Sequence, residues 1–388
     1  MDVSNYQRIW GRDGNITGLA ALHSGDEELI DTHRRTLMTL LDNQGPHGEI
    51  PSNVDPLSGR VSYGGMAGRV DADLWFIIGC GEYWFSTGDG RFLEQAIPAM
   101  EKTFFLLGAW EFNNRGFLYI PETGDWADEY LQNGYVLYDQ LLYLQAMRTM
   151  YHVRKHAQDS EDHDLRERIM RLIRMIYDNY WLLEDGTTPG NVYHEVLYRK
   201  SREAGKYCIN RHWMPFFTPH GYGYRFDAMA NVMASLTGVS DRERAERVDD
   251  HIEEAIAGHI YRLLPAFHPV IRPRDEDWED LQMTFSYQFK NRPHEYHNGG
   301  LWPLITGFYA ADLAGRGKGG KGEAMLIDIH RTNSIKDEDG NWSFPEYIHG
   351  SEYTPGGTRY QAWSAASPLI AHNVIYNNKP FFSIEGPA

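Results

Sequence analysis

An all-α fold is what this sequence predicts, on three observations. Apolar residues recur at helical spacing in segment after segment, alternating strand patterns are scarce, and the periodic stretches are bounded by Gly, Pro, Asn or Asp. Leu29, Ile30, Leu37, Met38 and Leu41 form the first clear stripe. Leu74, Trp75, Ile77 and Ile78 follow, then Leu141, Leu142, Leu144, Met147 and Met150. The same spacing predicts helices over about 92–112, 164–181, 224–236, 242–264, 300–313, 323–335 and 361–374, with a short one over 15–23. That makes roughly eleven helices, and no Pro- or Ser-rich linker separates them, so residues 1–388 read as one continuous helical domain.

Composition narrows the partners. A chain of 388 residues that is 42% hydrophobic buries a large core. Its net charge of -17 repels phosphate backbones and anionic lipid, which argues against nucleic acid and membrane surfaces and favours a small neutral substrate. Cys80 and Cys208 are too few for a disulfide framework and sit in apolar surroundings, as reduced core thiols do. The start MDVSNYQRIW lacks the pattern of a secretory signal, and no run of about 18 apolar residues occurs, so the expected location is the cytoplasm. Aromatic residues make up 13% of the chain, with 11 Trp and 24 Tyr, more than a core requires. Rings of this kind stack on pyranose faces in sugar-binding clefts.

Three segments are longer than connections between helices normally are and rich in Gly, Pro and aromatics: 45–69, 113–134 and 267–298. Loops of that length usually build a site. The stretch GRGKGGKGE (315–323) reads as flexible and exposed; it imitates a phosphate-binding loop, but it follows a helix and has Gly322 where Ser or Thr belongs. His294 and His297 have a spacing that suits a shared metal on a helix, yet Pro293 and the following Gly pair make this a loop, and no third ligand is close. Neither a metal nor a cofactor is therefore expected, and a serine nucleophile elbow and a dinucleotide fingerprint are both missing from the sequence.

Hydrolysis of a glycosidic bond with inversion needs one carboxylic acid to protonate the leaving oxygen and a carboxylate to deprotonate water, about 6.5–9.5 Å apart. ETGDWADEY supplies Asp125 and Asp128 beside Trp126, where an indole and a like charge can raise one carboxyl's pKa. NWSFPEY supplies Glu346, held by Pro345 and flanked by Phe344 and Tyr347. On pattern alone, each carboxylate is either a cap or a catalyst.

Four motifs, in order, resemble the (α/α)6-barrel glycosidases: the amylo-α-1,6-glucosidases, the alkaline/neutral invertases and the glucosidases related to trehalase and mannosylglycerate hydrolase. They are RIWGRDGNITGLAAL (8–22), RVDADLWFIIGCGEYWFSTGD (69–89), YHNGGLWP (296–303), and FPEYIHG followed by TRYQAWSAAS (358–367). The resemblance implies an (α/α)6 barrel and assigns the general acid to Asp128, through Trp126-Ala127-Asp128. Asp125 remains the alternative acid, because Glu122-Thr123-Gly124 imitates the trehalase-like variant of the loop. It assigns the base to Glu346 and a further acidic position to Asp139. Arg12 and Asp13 would grip sugar hydroxyls, and Trp10, Trp75, Trp302 or Trp363 would wall the ring. Arg69, Asp71, Trp126, His297, Asn298 and Gln361 stand at motif positions as further substrate contacts.

The family's first helix is expected to be missing, since few residues precede Arg8. No appended β-sandwich is expected either, which suits a disaccharide or a glucosylated polyol or acid better than a branched polymer. The activity implied is inverting hydrolysis of a small α-glucoside. Two other readings remain: an epimerase or lyase on a similar barrel, moving protons with His297 or His220, and a sugar-binding protein without catalysis.

Overall fold

The computed structural model describes residues 7–65, 67–285 and 287–386. Thirteen α-helices occur among them. The first six are α1 Gly11–Ser24, α2 Glu27–Asp42, α3 Val70–Thr87, α4 Gly90–Ala109, α5 Leu137–Gln158 and α6 His163–Asn179. The others are α7 Glu195–Ala204, α8 Ala228–Leu236, α9 Arg242–Ala255, α10 Trp278–Met283, α11 Pro303–Gly315, α12 Gly319–Asn333 and α13 Ala362–Asn377.

Burial sorts these helices into two layers. In α3, α5, α8 and α11 the buried positions run almost without interruption, which is how a helix surrounded by protein reads. In α2, α6 and α9 buried positions form one stripe, such as Leu165, Ile169, Leu172 and Ile176 of α6, and the other face is charged. The inner layer closes on itself: α1 packs on α3, α3 on α5, α5 on α8, α8 on α11, α11 on α13, and α13 returns to α1. Outside it, α2, α4, α6, α9 and α12 each lie against the ring helix they follow. Among the described residues no helix covers the seam between α13 and α1.

The two ends of this ring differ. At one end, tight turns at 25–26, 88–89, 159–162, 237–241 and 316–318 join each inner helix to its outer neighbour. At the other, the long segments 43–69, 110–136, 180–227, 256–302 and 334–361 lead back to the next inner helix. Short antiparallel pairs stitch them there: Ile9–Trp10 with Asn53–Val54, Tyr135–Val136 with Phe216–Thr218, and Phe226–Asp227 with Phe267–His268. The turn end is closed by residues 379–386. Ser383 and Ile384 donate their amides to Glu82, Gln145 donates to the carbonyl of Ile384, and Phe381 meets Phe308 while Phe382 meets Trp75.

Several boundaries differ from the periodicity. The segment 315–323, expected to be flexible, enters α12 at Gly319. Gly322 is buried, and a β-carbon there would stand 2.6 Å from the carbonyl oxygen of Ala310, so the glycine lets α12 approach α11 closely. The helix expected to reach 264 stops at Ala255, just ahead of Gly258, whose φ is 82°. The one expected from 224 begins at Ala228, because the Asp227 side chain caps it by accepting from Ala230 N–H. Helices α7 and α10 lie in stretches with no predicted helix; both are short and serve the long segments.

Candidate active site

The inner helices bring their N-termini to the end carrying the long segments, and polar residues sit at those N-termini. Arg12 and Asp13 open α1, Asp71 opens α3, Asp139 opens α5, Asp227 caps α8 and Gln361 caps α13. Unsatisfied N–H groups and aligned peptide dipoles make such termini favourable for carboxylates. The groups meet across the ring: Arg12 donates to Asp71 at 3.1 Å and lies 3.6 Å from Asp13, with its guanidinium 5.6 Å from the centre of the Trp363 ring.

Asp128 projects from the 110–136 segment with a side chain 23% exposed. Arg69, at the N-cap of α3, donates to one of its oxygens at 3.0 Å and anchors its own guanidinium on the carbonyls of Gly68 and Thr123. The Tyr296 hydroxyl donates to the other oxygen at 3.4 Å, and His297 Nε2 stands 3.5 Å from it. Burial pushes the Asp128 carboxyl up, but Arg69, His297 and Arg12 together pull it well below the usual range, so it is ionised in the unliganded site.

Glu346 lies between Phe344, whose φ is 40°, and a short pair formed by Tyr347–Ile348 and Pro355–Gly356. Its carboxylate accepts from Thr358 N–H at 2.9 Å, and a β-carbon on Gly357 would come within 2.3 Å of its Oε2. Burial raises Glu346 to about 7; the Thr358 amide and Lys290 oppose this, while the charges of Asp13 and Asp128 add to it. Asp13, raised to about 6 by burial against the pull of Arg12, feels Asp128 as well. The charge of Asp128 thus bears on both Asp13 and Glu346. Tyr296, Tyr347 and Trp302 form its aromatic wall, with Tyr347 6.0 Å from Tyr296 and stacked on Trp302 at 6.1 Å.

Asp125 points the other way, into the ring. It is fully buried, accepts from Ala127 N–H at 3.1 Å and from the Gln132 amide at 2.8 Å, and the same amide reaches Asp227 at 3.4 Å. Burial first, then the charge of Asp227, raises Asp125 far above the ordinary range. Burial likewise lifts Asp227 to about 7, and burial with Asp125 lifts Asp139, whose two oxygens have no hydrogen-bond partner among the described residues. These three acids lie close enough to raise one another, and burial together with that repulsion favours their neutral forms.

The remaining expected contacts divide by what they touch. Gln361 accepts from Ala362 N–H with its side-chain carbonyl, and its buried amide nitrogen, like the Asp71 oxygen not bound by Arg12, has no partner among the described residues. Buried polar atoms of this kind are ones sugar hydroxyls can satisfy. Trp363 lies under the Arg12 guanidinium and edge-on to Trp302, and Trp10, the N-cap of α1, lines one hollow with Asp13 and Gln361. Trp75, buried, donates its N–H to Tyr138, and Trp126 stacks on Phe267. Asn298 binds the backbone of Ile271 and Asn291 and so staples two loops. His297 is wedged between Trp126, edge-on at 4.9 Å, and Trp302, stacked at 5.2 Å; burial lowers it to about 4, leaving a neutral imidazole aimed at Asp128. Gln132, Asp227, Lys290 and Tyr296 escaped the sequence reading. Asp227 had a signal, an acid directly before the apolar run of α8, whereas nothing local singles out Gln132 or Lys290.

The alkaline and neutral invertase family model matches residues 213–378, a span that includes Asp227, the YHNGGLWP motif, Glu346 and Gln361. "Cytosolic invertase 1" of Oryza sativa subsp. japonica is 26% identical across 96% of this chain and 72% of its own length. "Probable alkaline/neutral invertase D" of Arabidopsis thaliana is 24% identical across 96% and 76%. The chain is a relative of the alkaline and neutral invertases, and with them a glycoside hydrolase. Solved structures share the fold of this relative. The mannosylglycerate hydrolase of Thermus thermophilus superposes with a TM-score of 0.63 at 16% identity, covering 93% of this chain and 92% of its own. A bacterial glucoamylase complexed with acarbose gives 0.64 at 13% identity, over 97% of this chain and 50% of its own.

Proposed function

We propose that this protein is an inverting hydrolase of a small α-glucoside, a disaccharide or a glucosylated polyol or acid, with Asp128 as general acid and Glu346 as general base. The ring of six inner helices with five outside is read as an (α/α)6 barrel, and residues 1–388 as one catalytic domain. The observation that carries the reading is that Tyr296, whose hydroxyl donates to Asp128, has its ring 6.0 Å from that of Tyr347, the residue after Glu346, which brings two carboxylates from segments more than two hundred residues apart toward one another at the loop end of the ring, one partly exposed and one enclosed. Arg12, Asp13, Asp71 and Gln361 supply the charge-assisted and polar contacts for sugar hydroxyls, and Trp363 an aromatic face. The two buried free thiols and the name of the rice relative favour the cytosol. No helix among the described residues is long and apolar enough to cross a membrane.

The epimerase or lyase reading loses ground on geometry. His297 is enclosed by two indoles and faces Asp128, while His220 is exposed on the turn joining Phe216–Thr218 to Gly221–Tyr222. One alternative follows from the surroundings of the two groups: burial raises the Glu346 carboxyl, while Arg69, His297 and Arg12 hold Asp128 below the usual range. The two carboxylates would then exchange roles.

The test is a panel of α-glucosides including sucrose, trehalose, isomaltose, glucosylglycerol and glucosylglycerate, followed by proton NMR. Cleavage that first releases β-glucose is expected. Asp128→Asn and Glu346→Gln should each lower kcat by on the order of 10²–10⁴-fold while glucose still binds. Full turnover in both variants would remove the assignment.

A further inference from the structure

Asp128 and Glu346 stand on separate long segments, and residues 290–301 are tied to both. On the Glu346 side, Leu301 and Ile348 exchange backbone hydrogen bonds of 2.8 Å each, and Gly350 N–H donates to the carbonyl of His294 at 2.9 Å. On the Asp128 side, the Tyr296 hydroxyl and His297 Nε2 face one carboxylate oxygen. Both contacts are long, at 3.4 and 3.5 Å, so the place of the carboxylate depends on what holds the two backbones together.

Asn291 holds them. Its side chain is buried and uses both ends of its amide. Nδ2 donates to the carbonyl of Glu129, the residue after Asp128. Oδ1 accepts from the N–H groups of His297 at 3.0 Å and Asn298 at 3.2 Å. The Asn298 amide returns a bond to the Asn291 carbonyl at 3.1 Å and fixes the loop between them. Two neighbours reinforce the link at the same place. Thr284 Oγ1 lies 2.9 Å from the Glu129 carbonyl oxygen, and Lys290 Nζ lies 3.6 Å from the Glu129 carboxylate.

The backbone of this loop needs such ties. His294 and Tyr296 have φ of 71° and 46°, in the left-handed region that residues with a β-carbon avoid. A segment of that kind keeps its shape only when its surroundings over-determine it. Asn291 contributes to this while gripping the backbone beside Asp128.

We propose that Asn291 is a positioning residue for hydrolysis: by tying the Glu129 backbone to the 294–301 loop, it sets where the Asp128 carboxyl stands relative to His297, Tyr296 and the Glu346 segment. The inference rests on the glucosidase reading above. Asn291 acts through the backbone and not on the sugar, so its loss should show in kcat and leave binding alone; a reacting group misplaced by about 1 Å can cost about 10²-fold.

Asn291→Ala, Asn291→Asp and Thr284→Val are the variants. Asp keeps an acceptor for the His297 and Asn298 amides but cannot donate to Glu129, and Val keeps the shape of Thr284 without its hydroxyl. The readouts are kinetics on a cleaved glucoside, calorimetric titration with glucose, and NMR of the histidine ring nitrogens, with His297 assigned by its absence in His297→Gln. The expected kcat is lower by about 10²-fold in both Asn291 variants and about fivefold in Thr284→Val, with KM and glucose affinity within about twofold of the parent. The His297 ring resonances should move in each Asn291 variant. An unchanged kcat in Asn291→Ala or Asn291→Asp, or a glucose affinity that falls as far as kcat, overturns the proposal. Should neither Asn291 variant fold, Thr284→Val decides it on the same two measurements. In a protein that cleaves no glucoside, moved His297 resonances uphold Asn291 as the residue that places His297 against Asp128 and overturn the glucosidase reading, whereas unmoved resonances overturn the proposal itself.

Discussion

The protonation of Glu346 decides how the proposed chemistry runs. A general base must be ionised, and burial holds this carboxyl near 7 against about 4.5 for a free one. With Glu346 as base, kcat/KM falls tenfold per pH unit below about pH 7 and levels off above it. Glu346 as donor reverses the sign, with activity lost on the alkaline side. A pH profile of kcat/KM on any cleaved glucoside separates the two roles. Asp128 presents the complementary problem: Arg69 and His297 keep it ionised before substrate arrives, so as general acid it must gain its proton when a sugar fills the site and removes the remaining water around it. Of the residues involved, Asp128 and Glu346 were legible in short motifs. Lys290 and Gln132 were not, because each matters only through a carboxylate brought near it by the fold.

Among the elements, the inner helices and the tail beneath them do different work. The N-termini of α1, α3, α5, α8 and α13 carry the acids, arginine and amide of the site, and the opposite end is sealed by residues 379–386. Phe381, Phe382 and Ile384 of that tail are buried. Phe382→Ala should lower stability by about 3–5 kcal/mol through lost burial and a residual cavity, measured by denaturant unfolding. Because the site lies at the other end, the sugar affinity of the folded fraction should be retained; a variant as stable as the parent would mean that the tail seals nothing. Helical periodicity located these elements but misplaced several ends. Asp227 and Gly258 set boundaries that the apolar pattern ran through, and Gly322 turned an expected flexible segment into packed helix.

Across the whole molecule, the buried acids govern stability with pH. Asp13, Asp227 and Glu346 titrate at about 6, 7 and 7 in the folded chain, and Asp125 and Asp139 are raised as well, whereas the unfolded chain releases these protons near 4. Between those values the folded state holds more protons, so stability falls as pH rises and levels once the folded groups with printed values have titrated. Asp128 acts in the opposite sense, its contribution being lost only in acid. Calorimetry should therefore show Tm falling from about pH 5 to about pH 8. The net charge of -17 works in the same direction, so the decisive comparison is with Glu346→Gln and Asp227→Asn, each of which should flatten the slope. An unchanged slope in both would show that these carboxyls do not carry the dependence.

What the sequence by itself determined is local: where the longer helices run, which loops are too long to be mere connections, and which short motifs hold Arg12, Asp128 and Glu346. Each follows from residues within a few turns of one another, where spacing and turn chemistry act directly. Only the tertiary structure decided that Asp125 is enclosed with Gln132 while Asp128 stays partly exposed, that His297 stands 3.5 Å from Asp128, and that a cavity adjoins Arg69. Burial and charge coupling depend on what the closing of the ring brings within a few ångströms, and no run of neighbouring residues encodes that distance.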